Sequence, residues 1–130
     1  MNSNKKVKKY TFTLPTAIIN TVEKRSFLSD INKSRWVSNC IQTSFDMLVD
    51  GFYENNKQPL VGIRRRRNGT IPKTFTLPLK IANTLNWFAK TLNVRKSHLV
   101  TVCVLNSEYG YLEGKSHRLE NLMRIADEIS

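Results

Sequence analysis

Long apolar runs are missing from this chain. The longest, such as Leu99–Leu105, fall far short of the roughly twenty residues that cross a bilayer. The N-terminus is basic, but no apolar run follows it before polar Thr13 and Thr16, so a secretory leader is not expected. Cysteine is scarce. Cys40 and Cys103 are the only two, neither lies in a CxxC pair, and only His98 and His117 are available to help bind zinc. The cysteines therefore read as small apolar residues on helix faces, in keeping with a reducing cytoplasm, and no metal site is expected. Acidic residues are few as well: ten Asp and Glu face 21 Lys and Arg, for a net charge of +11 on 130 residues. Such an excess implies a polyanionic partner, nucleic acid first and an acidic membrane surface second. There is no P-loop, no HExxH, no triad signature and no repeat-supported pair of carboxylates. Neither histidine has a nucleophile or carboxylate partner at a recognisable spacing. These absences argue against an enzyme and against a cofactor.

What the chain does contain is an internal repeat. Tyr10–Phe45 aligns without a gap on Lys73–Glu108 at a constant offset of 63, with 13 identities in 36 positions. Thr11-Phe12-Thr13-Leu14-Pro15 recurs as Thr74-Phe75-Thr76-Leu77-Pro78, Lys33-Ser34 as Lys96-Ser97, Cys40 as Cys103 and Ser44 as Ser107. The apolar fraction of 40% suffices for a modest core. Each copy is too small to bury a core alone, so the two are expected to pack on each other.

Periodicity gives the same element order in both copies. Lys9–Leu14 alternates strictly, with Lys9, Thr11 and Thr13 on one side and Tyr10, Phe12 and Leu14 on the other, which is a strand pattern. Pro15 ends it, and Thr16 is a candidate N-cap for a helix running to about Ser29. Asp30-Ile31-Asn32 reads as a turn, with Asn32 capping a second helix from Lys33 to about Val49. Its apolar face is Trp36, Val37, Cys40, Ile41, Ser44, Phe45 and Leu48. In the second copy a strand at Thr74–Leu77 is followed by helices near Leu79–Leu92 and Lys96–Tyr109. Arg25 and Ser29 stand where Phe88 and Leu92 stand in the second copy, which weakens the first helix pattern. The resulting division is a basic arm at 1–9, one repeat at 10–49, a linker with an arginine run at 50–72, a second repeat at 73–109 and a tail at 110–130. The linker holds Gly51, Pro59, Gly62, Gly69 and Pro72. In the mildly acidic tail, Ser116–Ile129 reads as an amphipathic helix whose apolar side, Leu119, Leu122, Met123, Ala126 and Ile129, covers the chain's own core or serves a partner.

Two strand–helix–helix units with Thr-Phe-Thr-Leu in the strand resemble the ribbon–helix–helix DNA-binding proteins of the Arc, MetJ and CopG class. The tandem layout is similar to the TraY-like relaxosome proteins of conjugative plasmids. The resemblance covers about 75 residues. It implies a mainly α fold with a two-stranded antiparallel β-ribbon, in which both repeats form an intramolecular pseudo-dimer followed by a helical extension. It also implies that the ribbon enters the major groove of double-stranded DNA. Base contacts then fall to Thr11, Thr13, Thr74 and Thr76, with Lys9 beside them. Threonine hydroxyls can give and accept hydrogen bonds and the methyls can touch thymine, although threonine also favours strands on propensity alone. Phosphate contacts fall to the starts of the second helices, Asn32, Lys33 and Ser34 and their counterparts Arg95, Lys96 and Ser97. They fall also to the basic runs before each strand: Lys5, Lys6 and Lys8, and Arg64, Arg65, Arg66 and Arg67. Arg95 is a poor cap, but its guanidinium can meet phosphate directly.

The roles implied are a relaxosome accessory protein or a transcriptional repressor on a plasmid or mobile element, associated with DNA in the cytoplasm. The chain would be a monomer that assembles cooperatively on adjacent sites, with a relaxase or another protein as a further partner through residues 110–130 and no membrane partner. Two alternatives stay open: an antitoxin-like module whose tail wraps a toxin, and a nonspecific nucleic-acid-coating protein. Lys9 is replaced by Pro72 and Tyr10 by Lys73 between copies, so a target with a near-palindromic centre and unlike flanks is expected.

Overall fold

Two nine-residue strands far apart in sequence form the only sheet among the described residues, and they pair antiparallel. The computed structural model describes residues 6–54, 70–114 and 117–129. Strand β1 (Val7–Pro15) runs into α1 (Thr16–Ser29), α2 (Lys33–Thr43) and α3 (Phe45–Glu54). Strand β2 (Thr70–Pro78) runs into α4 (Leu79–Leu92), α5 (Lys96–Glu113) and α6 (Leu119–Ile129). The protein is therefore mainly helical around one two-stranded antiparallel sheet. Both strands start earlier than the alternation suggested, because Val7 and Lys8, and Thr70–Lys73, pair across the sheet without contributing a clean apolar pattern.

The bounds of β1, α1 and the start of α2 recur at β2, α4 and the start of α5 with the same offset of 63. The turns recur too. Asp30 and Asn93 both take the left-handed conformation, at φ 59° and 58°, which short polar side chains tolerate best. After each, an N–H reaches back to close the helix: Ile31 to the Ser26 carbonyl at 3.2 Å and Val94 to the Ala89 carbonyl at 2.9 Å. Pro15, not Thr16, occupies the cap position of α1, because the strand runs straight through the proline and Thr16 is already helical. Asn32 caps α2 as expected, its Oδ1 accepting the Arg35 N–H at 2.8 Å.

Apolar strand residues face the helices. Phe12, Leu14, Phe75 and Leu77 are buried, and the Phe12 and Phe75 rings stack at 6.4 Å. The helices cross over between halves: α2 packs on β2, α5 on β1, and α2 and α5 on each other, within one continuous core. Cys40 and Cys103 are buried free thiols, and burial pushes both up to about 12, so neither is a reactive thiolate.

The second helix of the first copy does not run unbroken to Val49. It breaks at Ser44, whose N–H is shared between the Cys40 and Ile41 carbonyls and whose buried hydroxyl accepts from Asn106 Nδ2 at 3.0 Å. Helix α3 starts at Phe45 and carries that ring onto Phe88, with ring centroids 6.2 Å apart. The counterpart helix α5 runs unbroken past Tyr109 to Gly114, which ends it at φ 70°. Of the apolar face read for the first copy, Trp36 and Phe45 are only partly buried.

The contact that matches Phe45–Phe88 at the offset of 63 is made by charge. Arg25 donates to Glu108 through Nε at 2.7 Å and Nη2 at 2.9 Å, and its guanidinium lies 4.0 Å over the Tyr111 ring. Arg25 is thus a paired interior-edge residue, not a defect in an apolar face. Helix α6 packs back onto the body of the fold. Its Leu119, Leu122, Met123 and Ala126 are buried against α3 and α5, so the tail's apolar side is used within the chain. Among the described residues no helix is long and apolar enough to cross a membrane.

Two outcomes follow. A Cβ at Gly51 would collide with the Leu119 side chain, including its Cβ. Gly51→Ala should cost about 1–3 kcal/mol by overpacking, read from denaturant unfolding, and should loosen α6 first in hydrogen exchange. The Arg25 hydrogen bonds hold the Glu108 carboxyl below its ordinary value of 4.5. A depressed carboxylate stabilises the fold fully above its unfolded value and loses that contribution as pH falls through its folded value. The thermal midpoint of Glu108→Gln should therefore lie below that of the parent at pH 7, with the gap narrowing as pH drops below about 4.5.

Candidate nucleic-acid interface

The register of the sheet sets the geometry of its exposed face. Thr11 lies opposite Thr74, its own counterpart at the offset of 63, so the sheet is centred on that pair. Their hydroxyls hydrogen-bond at 2.7 Å. Thr76 opposite Lys9 stands to one side and Thr13 opposite Pro72 to the other. All four threonines and Lys9 are exposed. They share one face because side chains alternate along a strand, and no carboxylate occurs anywhere in β1 or β2. A hydroxyl in the central pair that gives its proton to the other can still accept, and the other can still give, so the pair keeps hydrogen-bonding capacity outward.

The strands differ at four corresponding positions, of which Val7 with Thr70 and Lys9 with Pro72 alternate onto this face. Lys9 and Pro72 point outward. Tyr10 and Lys73 fall on the helix-facing side and are half-buried, with Tyr10 stacked near Phe12 at 6.4 Å. Lys8 is exposed but alternates onto that same helix-facing side, away from the threonines. Lys6 is exposed just before β1, and its carbonyl accepts the Leu79 N–H at 2.9 Å. Lys5 and Arg64, Arg65, Arg66 and Arg67 lie outside the described residues.

Each second helix begins against an edge of the sheet. Ser34 Oγ accepts the N–H of Thr76 at 2.8 Å, and Ser97 Oγ accepts the N–H of Thr13 at 3.0 Å. A two-stranded sheet has two edges, and these bonds satisfy an outward N–H on each. They also cross between copies, which locks the start of α2 to β2 and the start of α5 to β1. A serine hydroxyl used in this way still has its own proton to donate. Lys33 and Lys96 are exposed beside these serines. Arg95 is exposed at its cap position and makes no capping bond. The structure thus brings Thr11, Thr13, Thr74, Thr76, Lys9, Asn32, Lys33, Ser34, Arg95, Lys96 and Ser97 around one end of the fold.

Charge is segregated along the molecule. Six of the ten acids, Asp46, Asp50, Glu54, Glu120, Asp127 and Glu128, sit on α3 and α6, and Glu108 is spent on Arg25. The strand end keeps its lysines largely unopposed. His98, adjacent to Ser97, is buried and does not reach this surface. His117 does have a carboxylate neighbour, Glu113 one helical turn earlier at 2.9 Å, beside the Tyr109 ring. Among the described residues no group of His, Cys, Asp and Glu is placed to hold a metal ion. The serine ties escaped the sequence reading. The repeated Lys-Ser pair marked the residues, but their partners depend on a register that local pattern does not carry.

No family model, no curated protein and no solved structure matches the chain.

The central hydroxyl bond is not needed to hold the sheet, since apolar burial on the opposite face does that. Thr11→Val with Thr74→Val keeps the β-branched shape and should change stability by less than about 1 kcal/mol in chemical denaturation. A larger loss would mean that the pair is a structural tie and not a free polar surface.

Proposed function

We propose that the chain is a single-chain ribbon–helix–helix protein, a pseudo-dimer of two repeats, that binds double-stranded DNA in a sequence-specific way. The ribbon β1–β2 enters the major groove and no chemistry is performed. The observation that carries this reading is the exposed, carboxylate-free face of four threonines, centred on the Thr11–Thr74 pair and flanked by two helix starts tied to its edges. A two-stranded ribbon fits the groove, and short hydroxyl side chains suit base edges. The starts of α2 and α5, with Lys33, Ser34, Lys96 and Ser97, sit where phosphates flank a ribbon in the groove, and a helix N-terminus favours an anion. The charge of +11 supplies the salt-dependent share of affinity.

The role favoured is that of a plasmid or mobile-element protein, a relaxosome accessory or a repressor. Burial of the α6 apolar face weighs against an antitoxin-like tail that wraps a toxin. A relaxase or other partner at the tail would have to use its polar side.

The test is a selection of bound fragments from the protein's own replicon in about 0.15 M salt, where screening suppresses nonspecific contacts. A discrete site is expected, with a near-palindromic centre and unlike flanks, since Lys9 and Pro72 differ on the reading face. The Thr11, Thr13, Thr74 and Thr76 quadruple alanine variant should lose at least about ten-fold in affinity for that site, near 1.4 kcal/mol. The quadruple valine variant, which keeps strand propensity, checks that folding is intact. A discrete site bound equally well by both variants would falsify readout by the threonines. No discrete site at all would leave a charge-driven nucleic-acid coat.

A further inference from the structure

We infer that the two ends of the ribbon divide the work of binding: the Lys9·Thr76 end reads bases, while the Thr13·Pro72 end, with Lys90, Arg95 and Lys96 beside it, grips the backbone. The inference rests on the DNA-binding reading and adds a direction to it.

The observation is a difference in charge at corresponding positions. The start of α2, tied by Ser34 to Thr76, opens onto a groove of about 1060 Å³ whose lining includes Glu23, Phe27, Asp30, Lys33 and Thr76. Two carboxylates line it against one cation, Lys33, while Arg35 lines the neighbouring groove with Val7 and Ser34, so this helix start as a whole is close to neutral. The counterparts of Glu23, Phe27 and Asp30 at the offset of 63 are Asn86, Lys90 and Asn93, and the counterpart of Asn32 is Arg95. The start of α5, tied by Ser97 to Thr13, therefore has Lys90, Arg95 and Lys96 with no carboxylate among the same positions, a local charge of +3. All three are exposed. Helices α1 and α4 have the same bounds at that offset and the turns after them have the same left-handed geometry, so these residues occupy comparable places.

The exposed face of the ribbon is biased in the opposite sense. At the neutral helix start it carries Lys9 beside Thr76, a long cationic donor that can reach a guanine edge. At the basic helix start it carries Pro72 beside Thr13, and a proline offers no side-chain donor. Lys6 and Lys8 lie at the Lys9 end but off the reading face, where they add charge without base contact. A phosphate at the α2 start meets Lys33 and Arg35 offset by Glu23 and Asp30. A phosphate at the α5 start meets only cations. Glu23 and Asp30 thus weaken one backbone contact, and Lys90 strengthens the other.

The experiment measures binding to the selected site across a salt series, together with base preference on a library randomised at both flanks. Lys90→Gln/Arg95→Gln/Lys96→Gln should lower affinity about ten-fold or more at 0.15 M salt, flatten the log–log salt slope by about 2 to 3 and leave base preference unchanged. Lys33→Gln/Arg35→Gln should flatten it by less per charge removed. Lys9→Ala should relax base preference at one flank only, and Glu23→Gln/Asp30→Asn should raise affinity. Arg118→Gln/Arg124→Gln, on and just before α6, controls for net charge. Equal slopes per charge at the two helix starts, or relaxed preference at both flanks in Lys9→Ala, would overturn the division of work while leaving specific DNA binding intact. Failure of the parent protein to select a discrete site would remove the sequence-specific reading itself, and this inference with it.

Discussion

The pairing of β1 with β2 is the contact on which the other elements depend. Two strands alone do not hold together in water, so the ribbon exists only while its apolar face is covered. Phe12, Leu14, Phe75 and Leu77 supply that face, and the helices that cover it come from both copies. Because α2 lies on β2 and α5 on β1, neither copy completes its core without the other. The register then follows from side-chain alternation: a slip by one residue would turn the threonines inward and the phenylalanines out, at a cost of several buried aromatic and leucine side chains. Burial on one face thereby determines what the opposite face presents.

The two flanks show how one backbone plan tolerates different chemistry. On one, Phe45 and Phe88 meet, and Phe52 of α3 packs on the adjoining Trp87. On the other, the same positions hold Glu108 and Arg25, which join in a bidentate ion pair under Tyr111. An apolar pair needs a cover, whereas a charged pair at the edge can stay partly wet. The break at Ser44 falls on the apolar flank, where α3 begins at Phe45, while α5 runs unbroken past Glu108 on the charged one.

Much of this order was legible in the chain. The 63-residue repeat, the alternation around Thr11 and Thr74, the extents of α1 and α4, the Asn32 cap and the turns at Asp30 and Asn93 are all local signals, and local signals survive folding when tertiary packing agrees with them. The remainder was hidden because it is not local. Arg25 looked like a flaw in an apolar face, and its partner Glu108 lies 83 residues away. The hydroxyl of Ser34 meets an N–H 42 residues on. The stretch around Ser44 is unbroken by propensity, and only the contact with Asn106 marks the bend. Alternation put Lys9 on the side of the threonines, but only the register shows that Thr11 meets Thr74 and that Lys9 stands beside Thr76.

Placing both halves in one chain has a consequence that a homodimer cannot have. In a symmetric dimer each substitution appears twice, so the two ends of a ribbon must carry equal charge and equal side chains. Here each half is free to change alone, and the changes are not scattered evenly. Where the ribbon meets the helices several core positions are identical in both copies, Phe12 with Phe75, Leu14 with Leu77, Val37 with Val100 and Cys40 with Cys103. Other core positions change size, as Ile19 against Ala82 and Val22 against Leu85, and the ribbon's ends, the helix starts and the flanks change in charge. On the proposed reading, a surface of this kind distinguishes the two directions of a DNA site. Orientation costs nothing in the core, because the interactions that hold the ribbon and those that would give it a direction lie on opposite faces of the same two strands.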